Sequence, residues 1–353
     1  MIAVYINSAV CISAQDTLGE NFFGNLQPHL SENVLKAIEP NYKEFIPPAM
    51  IRRMSKTVKM SSVASKKALQ EAKIENPDAI IVGTGMGCSQ DSEKFLKNVI
   101  DNNEEFLTPT YFIQSTHNTV SGQIALILQC HGYNFTYVNS SSSLEFSLLD
   151  AKMQIQDGDA ENILVGSTDE ETQRTMELFD LNKTIKKSEN LPADFLNSTT
   201  DGVIWGEGAS FFVVGKDKNE NSYAKLVDVS LINNLELSET ANFITQFLHK
   251  NNIEPDQLDA VILGFSGDAK SDLFYKKAQE IFQNSMQLYY KHLSGEFNTA
   301  SGFALFMACQ ILKKQEIPEV MKINEIKKDK IRKILLYNHL GGTDHSLLLL
   351  EKI

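Results

Sequence analysis

Short β-branched or apolar runs alternating with helix-length amphipathic stretches restrict this chain more than any other feature, because that alternation is the mark of layered α/β folds. Residues 2–6 (IAVYI) open as a strand, and Met50 to about Ala72 reads as one helix, with small or apolar residues at Met54, Val58, Ser61, Ser65, Ala68 and Ala72. Ala79–Gly85 (AIIVGTG) is an apolar strand running out into glycines. Phe135–Val138 is another, leading through Asn139–Ser143 into a helix over Leu144–Gln156. Ile163–Gly166 follows, and Gly202–Gly215 reads as a strand pair broken by glycines.

A charged, Asn-rich connection at Lys216–Ser222 separates a second half that repeats the theme. Ala260–Gly264 (AVILG) is a buried strand, with helices over about Lys270–Gln283 and Gly302–Lys313. Strands at Ile334–Tyr337 and Ser346–Glu351 flank the turn Gly341–Asp344. No short-period repeat occurs, which excludes a solenoid. The pattern predicts two similar α/β halves packed face to face, residues 1–215 and 216–353.

Charge and cysteine usage narrow the function classes. Lys and Arg number 33 against 45 Asp and Glu, a net charge of −12 that argues against nucleic acid, whose phosphates need a positive field. Cys11, Cys88, Cys130 and Cys309 lie far apart without CxxC spacing, so neither a zinc site nor a disulfide framework is expected; four buried thiols in a reducing compartment are. The start, MIAVYINSAVCIS, lacks the basic and long apolar regions of a signal peptide, and no run approaches a membrane span. The expectation is a cytoplasmic protein without membrane insertion, metal or cofactor.

Several segments, in order and over most of the chain, resemble the β-ketoacyl-acyl carrier protein synthase family. They are IRRMSKTVKM, IIVGTGMG, SGQIALILQCHGYNFTYVNSSSS, DGDAENILVG, DGVIWGEGA, KHLSGEFNTASG and LGGTDHSLLLLEKI. The resemblance implies a thiolase-like five-layered αβαβα sandwich of two pseudo-equivalent halves. It also implies a cysteine at a helix N-terminus that takes an acyl group from an acyl carrier protein, and two histidines that assist decarboxylative condensation. A thiolate suits that role because a helix N-terminus lowers its pKa.

Each of those positions is altered here. Counting back seventeen residues from Gly158 of the GDAE turn puts Ser141 at the cysteine's place, with Ser140 the neighbour if the register slips by one. The first histidine's place falls on Leu263 and the second's on Glu296, while the motif lysine is kept as Lys291. His292 is close in sequence but stands four residues from the motif position. The family's glutamate partner of that lysine is Leu305, which leaves Glu296 as the expected partner of Lys291. A serine needs a general base to become a nucleophile, and none is identifiable, so Ser141 reads as a helix cap with nucleophile as the alternative.

The remaining candidates follow from the same resemblance. His117, in QSTHNTVSG, falls in a loop bordering the pocket. Asn338 and Leu340 replace two phenylalanines of a channel-gating segment, and His339 and His345 flank its GGTD turn. Arg52, Arg53, Lys56 and Lys59, with Lys66 and Lys67 beyond, form a basic cluster, read either as a solvated face or as the docking site of the acidic carrier protein. Thr200, where the family has an arginine, weakens that patch. The second basic run, Lys327–Lys333, reads as solvated.

The reading that follows is a catalytically degenerate subunit of chain-length-factor type. It would pair with an active ketosynthase, or with itself, and work with acyl carrier protein. QSTHNTVSGQIA points further to aryl-polyene or flexirubin-type pathways. Two alternatives stand: a divergent acyltransferase or decarboxylase using Ser141, and a stand-alone acyl- or carrier-binding homodimer.

Overall fold

The computed structural model describes residues 2–107, 109–192 and 194–353. Ten strands form the frame: β1 (Tyr5–Ile12), β2 (Ala79–Gly83), β3 (Tyr133–Tyr137), β4 (Asn162–Asp169), β5 (Gly208–Gly215), β6 (Ala224–Ile232), β7 (Ala260–Leu263), β8 (Met286–Tyr289), β9 (Lys333–Leu340) and β10 (Thr343–Glu351). Their order, β3-β2-β4-β5-β1-β6-β10-β9-β7-β8, is one five-strand pattern written twice. In the first set β2 pairs parallel with β3 and β4, and β5 antiparallel with β4 and β1; in the second, β7 pairs parallel with β8 and β9, and β10 antiparallel with β9 and β6. The sets join where β1 meets β6, at Tyr5 with Lys225 and Ile6 with Ala224.

Alternation along the strands builds the layers. On β2, Ala79 and Ile81 face a central core and Ile80 and Val82 an outer one; on β7, Ala260 and Ile262 face the centre, and Val261 and Leu263 the other outer core. The central core holds helices α6 (Ser143–Asp157) and α11 (Ser301–Lys314). Helices α2 (Lys56–Ala72) and α5 (Thr119–Leu128) cover one outer face, α8 (Thr240–Lys250) and α9 (Leu273–Gln279) the other. This is the five-layered αβαβα sandwich expected from the sequence. Shorter helices α1 (Pro48–Ile51), α3 (Ser89–Asp101), α4 (Pro109–Ser115), α7 (Gln173–Leu181) and α10 (Lys291–Ser294) complete it.

Four local expectations need correction. The opening strand expected over residues 2–6 runs over Tyr5–Ile12, because its pairing with β5 extends from Tyr5 to Ile12. The helix expected over 50–72 is two, because Ser55 adopts an extended conformation and its side chain accepts the N–H of Val58 at 3.3 Å, starting α2 afresh. The strand pair expected over 202–215 is one strand. Val203 and Trp205 instead bridge three separate segments, at Ile185, Val34 and Glu296, and Gly206 lies so close to Ser294 that a Cβ there would sit 2.2 Å from its carbonyl oxygen. The helix expected from Lys270 starts only at Leu273, since the Asp272 carboxylate first gathers the N–H groups of Ser266 and Gly267 into a turn. Of the four cysteines, Cys130 is half-buried and the others buried. No helix among the described residues is long and apolar enough to cross a membrane.

Candidate active site

The parallel strand β3 ends at a turn that aims the start of α6 into the molecule. Ser140 holds a left-handed backbone (φ 50°) there and opens a short 3-10 turn, Ser140–Ser142, that runs into α6. No side chain caps this helix start, Ser141 included; Ser143 instead holds the turn, its hydroxyl accepting the N–H of Asn139 (2.9 Å) and sharing its proton between the carbonyls of Ser140 (2.8 Å) and Thr84 (3.0 Å). Ser141 is buried, and its hydroxyl donates to the Asp344 carbonyl at 3.3 Å. Ser140, whose hydroxyl faces the Asn298 amide oxygen at 3.4 Å, is the member of the serine run that lines a cavity.

That cavity encloses about 770 Å³, within the usual range of small-molecule sites. Met86, Val138, Val203, Leu340 and the edge-to-face pair Phe179–Trp205 (4.7 Å) supply apolar wall. Asn298 and Ser140 are its polar floor, and Lys183, Asp201, Asp268 and Lys270 are its charged lining, with Lys270 bridging Asp201 at 2.6 Å.

Lys291 and Glu296 lie outside this lining, sealed at 1% and 2% exposure. The Lys291 ammonium donates to Glu296 Oε2 at 2.6 Å and to the His339 carbonyl at 3.1 Å, beneath the rings of Tyr275 and Tyr290. Burial pushes the Glu296 carboxyl up to about 7 against the pull of Lys291. Two more buried carboxyls share this neighbourhood: burial raises Glu145 to about 7 and Asp272 to about 6, each partly offset by hydrogen bonds and by Lys291. Burial keeps the imidazoles neutral. His292 is pushed down to about 3, His345 to about 4, and His339 well below its ordinary value.

The other sequence-derived positions divide. Leu263 is fully buried in the outer core; the strand-end residue beside the Lys291 cluster is Gly264, where a Cβ would meet the Tyr275 hydroxyl and the Asn338 amide. Asn338 is locked to Tyr290, whose hydroxyl donates to it at 2.9 Å, and Leu340 lines the cavity. Leu305 is fully buried in α11. His117 is exposed, against Gly87 and away from the cavity lining.

In the basic cluster only Arg52 and Arg53 are both exposed and without an ion pair among the described residues. Lys56 is spent on the fully buried Glu207, with Glu39 at 3.7 Å, so it is no free docking charge. Lys59 lies over the Tyr42 ring, Lys67 over that of Phe45, and Lys66 donates to the Phe45 carbonyl at 2.7 Å. Thr200 accepts from the buried Lys186. No group of three His, Cys, Asp or Glu side chains that could hold a metal occurs among the described residues.

Sequence reasoning missed Asp169. Buried at the end of β4, it accepts from the hydroxyl of Thr84, the N–H groups of Gly85 and Met86, and both the N–H and the hydroxyl of Thr299. It thereby ties two cavity walls together. The acidic run Asp169–Glu171 directly after a buried apolar strand was the available signal, since buried carboxylates need dedicated donors.

The family model for the N-terminal domain of β-ketoacyl synthases matches residues 33–220. Among curated proteins, 3-oxoacyl-[acyl-carrier-protein] synthase 2 of Staphylococcus aureus (strain N315) is 22% identical over 201 residues, 53% of this chain and 49% of its own. The chain thus matches about half the length of such relatives. Among solved structures, the ishigamide ketosynthase/chain length factor superposes with a TM-score of 0.83 at 15% identity, covering 99% of both chains. A β-ketoacyl synthase from Burkholderia phymatum STM815 gives 0.83 at 14%, covering 100% of both. A type II polyketide acyl-carrier protein in complex with its hexaketide-bound ketosynthase gives 0.79 at 14%, covering 100% of this chain and 99% of the other.

Proposed function

This chain belongs to the β-ketoacyl synthase family, and from that premise we propose that it is a non-condensing subunit, of chain-length-factor type, for an active ketosynthase. One observation carries the reading. Where the family's chemistry needs a thiolate and two imidazoles, this site has a serine turn over a cavity and, sealed behind it, the ion pair Lys291–Glu296. The Ser140 hydroxyl faces an amide oxygen, which cannot take its proton. The neutral histidines nearby are held in the core: His345 bonds Tyr337 and the Gly342 carbonyl, and His339 stacks on Tyr275.

On this reading the halves, 1–215 and 216–353, keep the synthase architecture for shape rather than turnover. The cavity holds or measures an acyl chain, and Arg52 and Arg53 offer the charge that an acidic carrier protein would meet. The free edge of β3, with Tyr133, Phe135 and Val138 exposed beside Leu126 of α5 and Phe112 and Ile113 of α4, is the face for the partner. Neighbours named as a ketosynthase/chain length factor and as a carrier protein bound to its ketosynthase support partners of those kinds. An aryl-polyene or flexirubin-type pathway is the setting we assign on the sequence resemblance alone.

Co-expression with a catalytically complete ketosynthase from the same organism tests this. A stable heterodimer is expected, and no acyl group should be found on Ser140 or Ser141 after incubation with acyl carrier protein. An acyl-serine adduct lost in the alanine variants would favour an acyltransferase, for which the left-handed turn at Ser140 is the one supporting feature. A homodimer that ignores the ketosynthase would favour a stand-alone binding protein.

A further inference from the structure

The cavity floor carries a donor that the protein itself leaves unused. Asn298 is 8% exposed and lines the cavity, and its carboxamide oxygen faces the Ser140 hydroxyl at 3.4 Å. Its amide nitrogen has no hydrogen-bond partner among the described residues, yet it is not among the atoms sealed from solvent. A nearly buried amide with a free N–H is costly unless water or a ligand accepts it.

Two features hold the carboxamide in place. Gly85 makes room for it, since a Cβ there would lie 2.2 Å from Asn298 Cγ and 2.5 Å from its Nδ2. The next residue, Thr299, gives its N–H (3.1 Å) and its hydroxyl (2.8 Å) to the buried Asp169 carboxyl, which also accepts the Gly85 N–H at 2.9 Å. One carboxyl thus fixes both Gly85 and Thr299, the residues that frame the amide. A polar group locked by its surroundings needs no reorganisation to meet a ligand.

The neighbouring charges select what it can meet. Asp169 accepts from five donors, an arrangement that favours its charged form, so a ligand carboxylate on the floor would meet like charge. Lys291, the cation sealed behind the cavity, is committed to Glu296 and the His339 carbonyl. A neutral carbonyl oxygen carries no such penalty. Its two lone pairs can accept from the Asn298 amide and from the Ser140 hydroxyl, whose present contact at 3.4 Å is looser than an ordinary O–H···O bond of about 2.8 Å.

We propose that Asn298, with Ser140, is the recognition point for a neutral carbonyl oxygen on the ligand of this cavity. Thioester, ketone and amide share that acceptor, and a plain hydrocarbon lacks it. The inference rests on the reading of the cavity as an acyl site and adds which part of the acyl group its floor binds; no bond is made or broken.

The test titrates the full-length protein with S-hexanoyl-N-acetylcysteamine, with the thioether S-hexyl-N-acetylcysteamine, and with N-acetylcysteamine alone. Wild type should bind the thioester roughly 10-fold more tightly than the thioether. The infrared stretch of an isotope-labelled thioester carbonyl should fall on binding. Asn298→Leu, close in size, should bind thioester and thioether equally and abolish that infrared shift, and Ser140→Ala should reduce it. Equal binding of all three probes by wild type, weakened for all three in Asn298→Leu, would put the amide carbonyl rather than the thioester on Asn298. Affinities unchanged in Asn298→Leu would overturn the proposal while leaving the acyl site standing. A wild type that binds none of the probes would overturn both. Should Asn298→Leu not fold, the infrared shift in wild type and in Ser140→Ala decides, and carbonyls unshifted in bound wild type defeat the proposal.

Discussion

The ammonium of Lys291 stands 2.6 Å from the carboxylate of Glu296, with both side chains sealed from solvent behind the cavity. Removing one partner leaves the other charge buried and unpaired, so Glu296→Ala should lower unfolding stability by about 3–5 kcal/mol. The double variant Lys291→Met/Glu296→Leu should recover most of that loss. Urea denaturation of the three proteins checks this, and single and double variants that lose equally would show that the pair is not coupled.

The basic cluster should split by function. Lys56→Ala, which strands the buried Glu207, should destabilise the fold by roughly 3 kcal/mol. Arg52→Glu and Arg53→Glu, on exposed side chains, should leave Tm nearly unchanged and weaken carrier-protein binding, most clearly at low salt. Calorimetric titration beside thermal melts separates the two effects.

The β3 edge should behave as an interface. Phe135→Glu places a charge on an exposed apolar strand edge and should dissociate the complex with the ketosynthase while leaving the subunit folded. Sedimentation velocity reads this directly; an intact complex would move the partner face elsewhere.

Acid should weaken the α6–β6–α8 junction. Burial opposes ionisation of Asp228, yet the bonds from Lys250, Lys152 and Asn251 outweigh it and hold the carboxyl down at about 2. The stability from a depressed carboxyl is present above its unfolded value of 3.8 and is lost as pH falls through 2. Asp228→Asn should therefore flatten the Tm profile between about pH 4 and pH 2 relative to wild type.

The layers were legible because uninterrupted apolar runs such as AIIVG and AVIL are what doubly covered strands require. The Lys291–Glu296 contact was legible for a related reason: a buried ammonium needs a counter-ion, and Glu296 was the nearest one in its own glycine loop. Tertiary assignments were not. Nothing local to Lys56 announces Glu207, 151 residues away, and so a staple read as a docking charge. Within a run of four serines, composition cannot say which takes the left-handed turn; β3's exit angle puts Ser140 at the cavity and Ser141 against Asp344. His117 joined the pocket on motif order alone, whereas the fold leaves it exposed beside Gly87.

Condensation by the purified chain is the most direct test of the central claim. With acyl- and malonyl-carrier protein, the protein alone should form no β-ketoacyl product above background, because a lost acid or base costs about 10²–10⁴-fold and the thiolate is absent too. Adding the ketosynthase should give product whose chain length shifts when Trp205→Ala enlarges the cavity. Product formed by the chain alone, and abolished by Ser140→Ala or Ser141→Ala, would contradict the account.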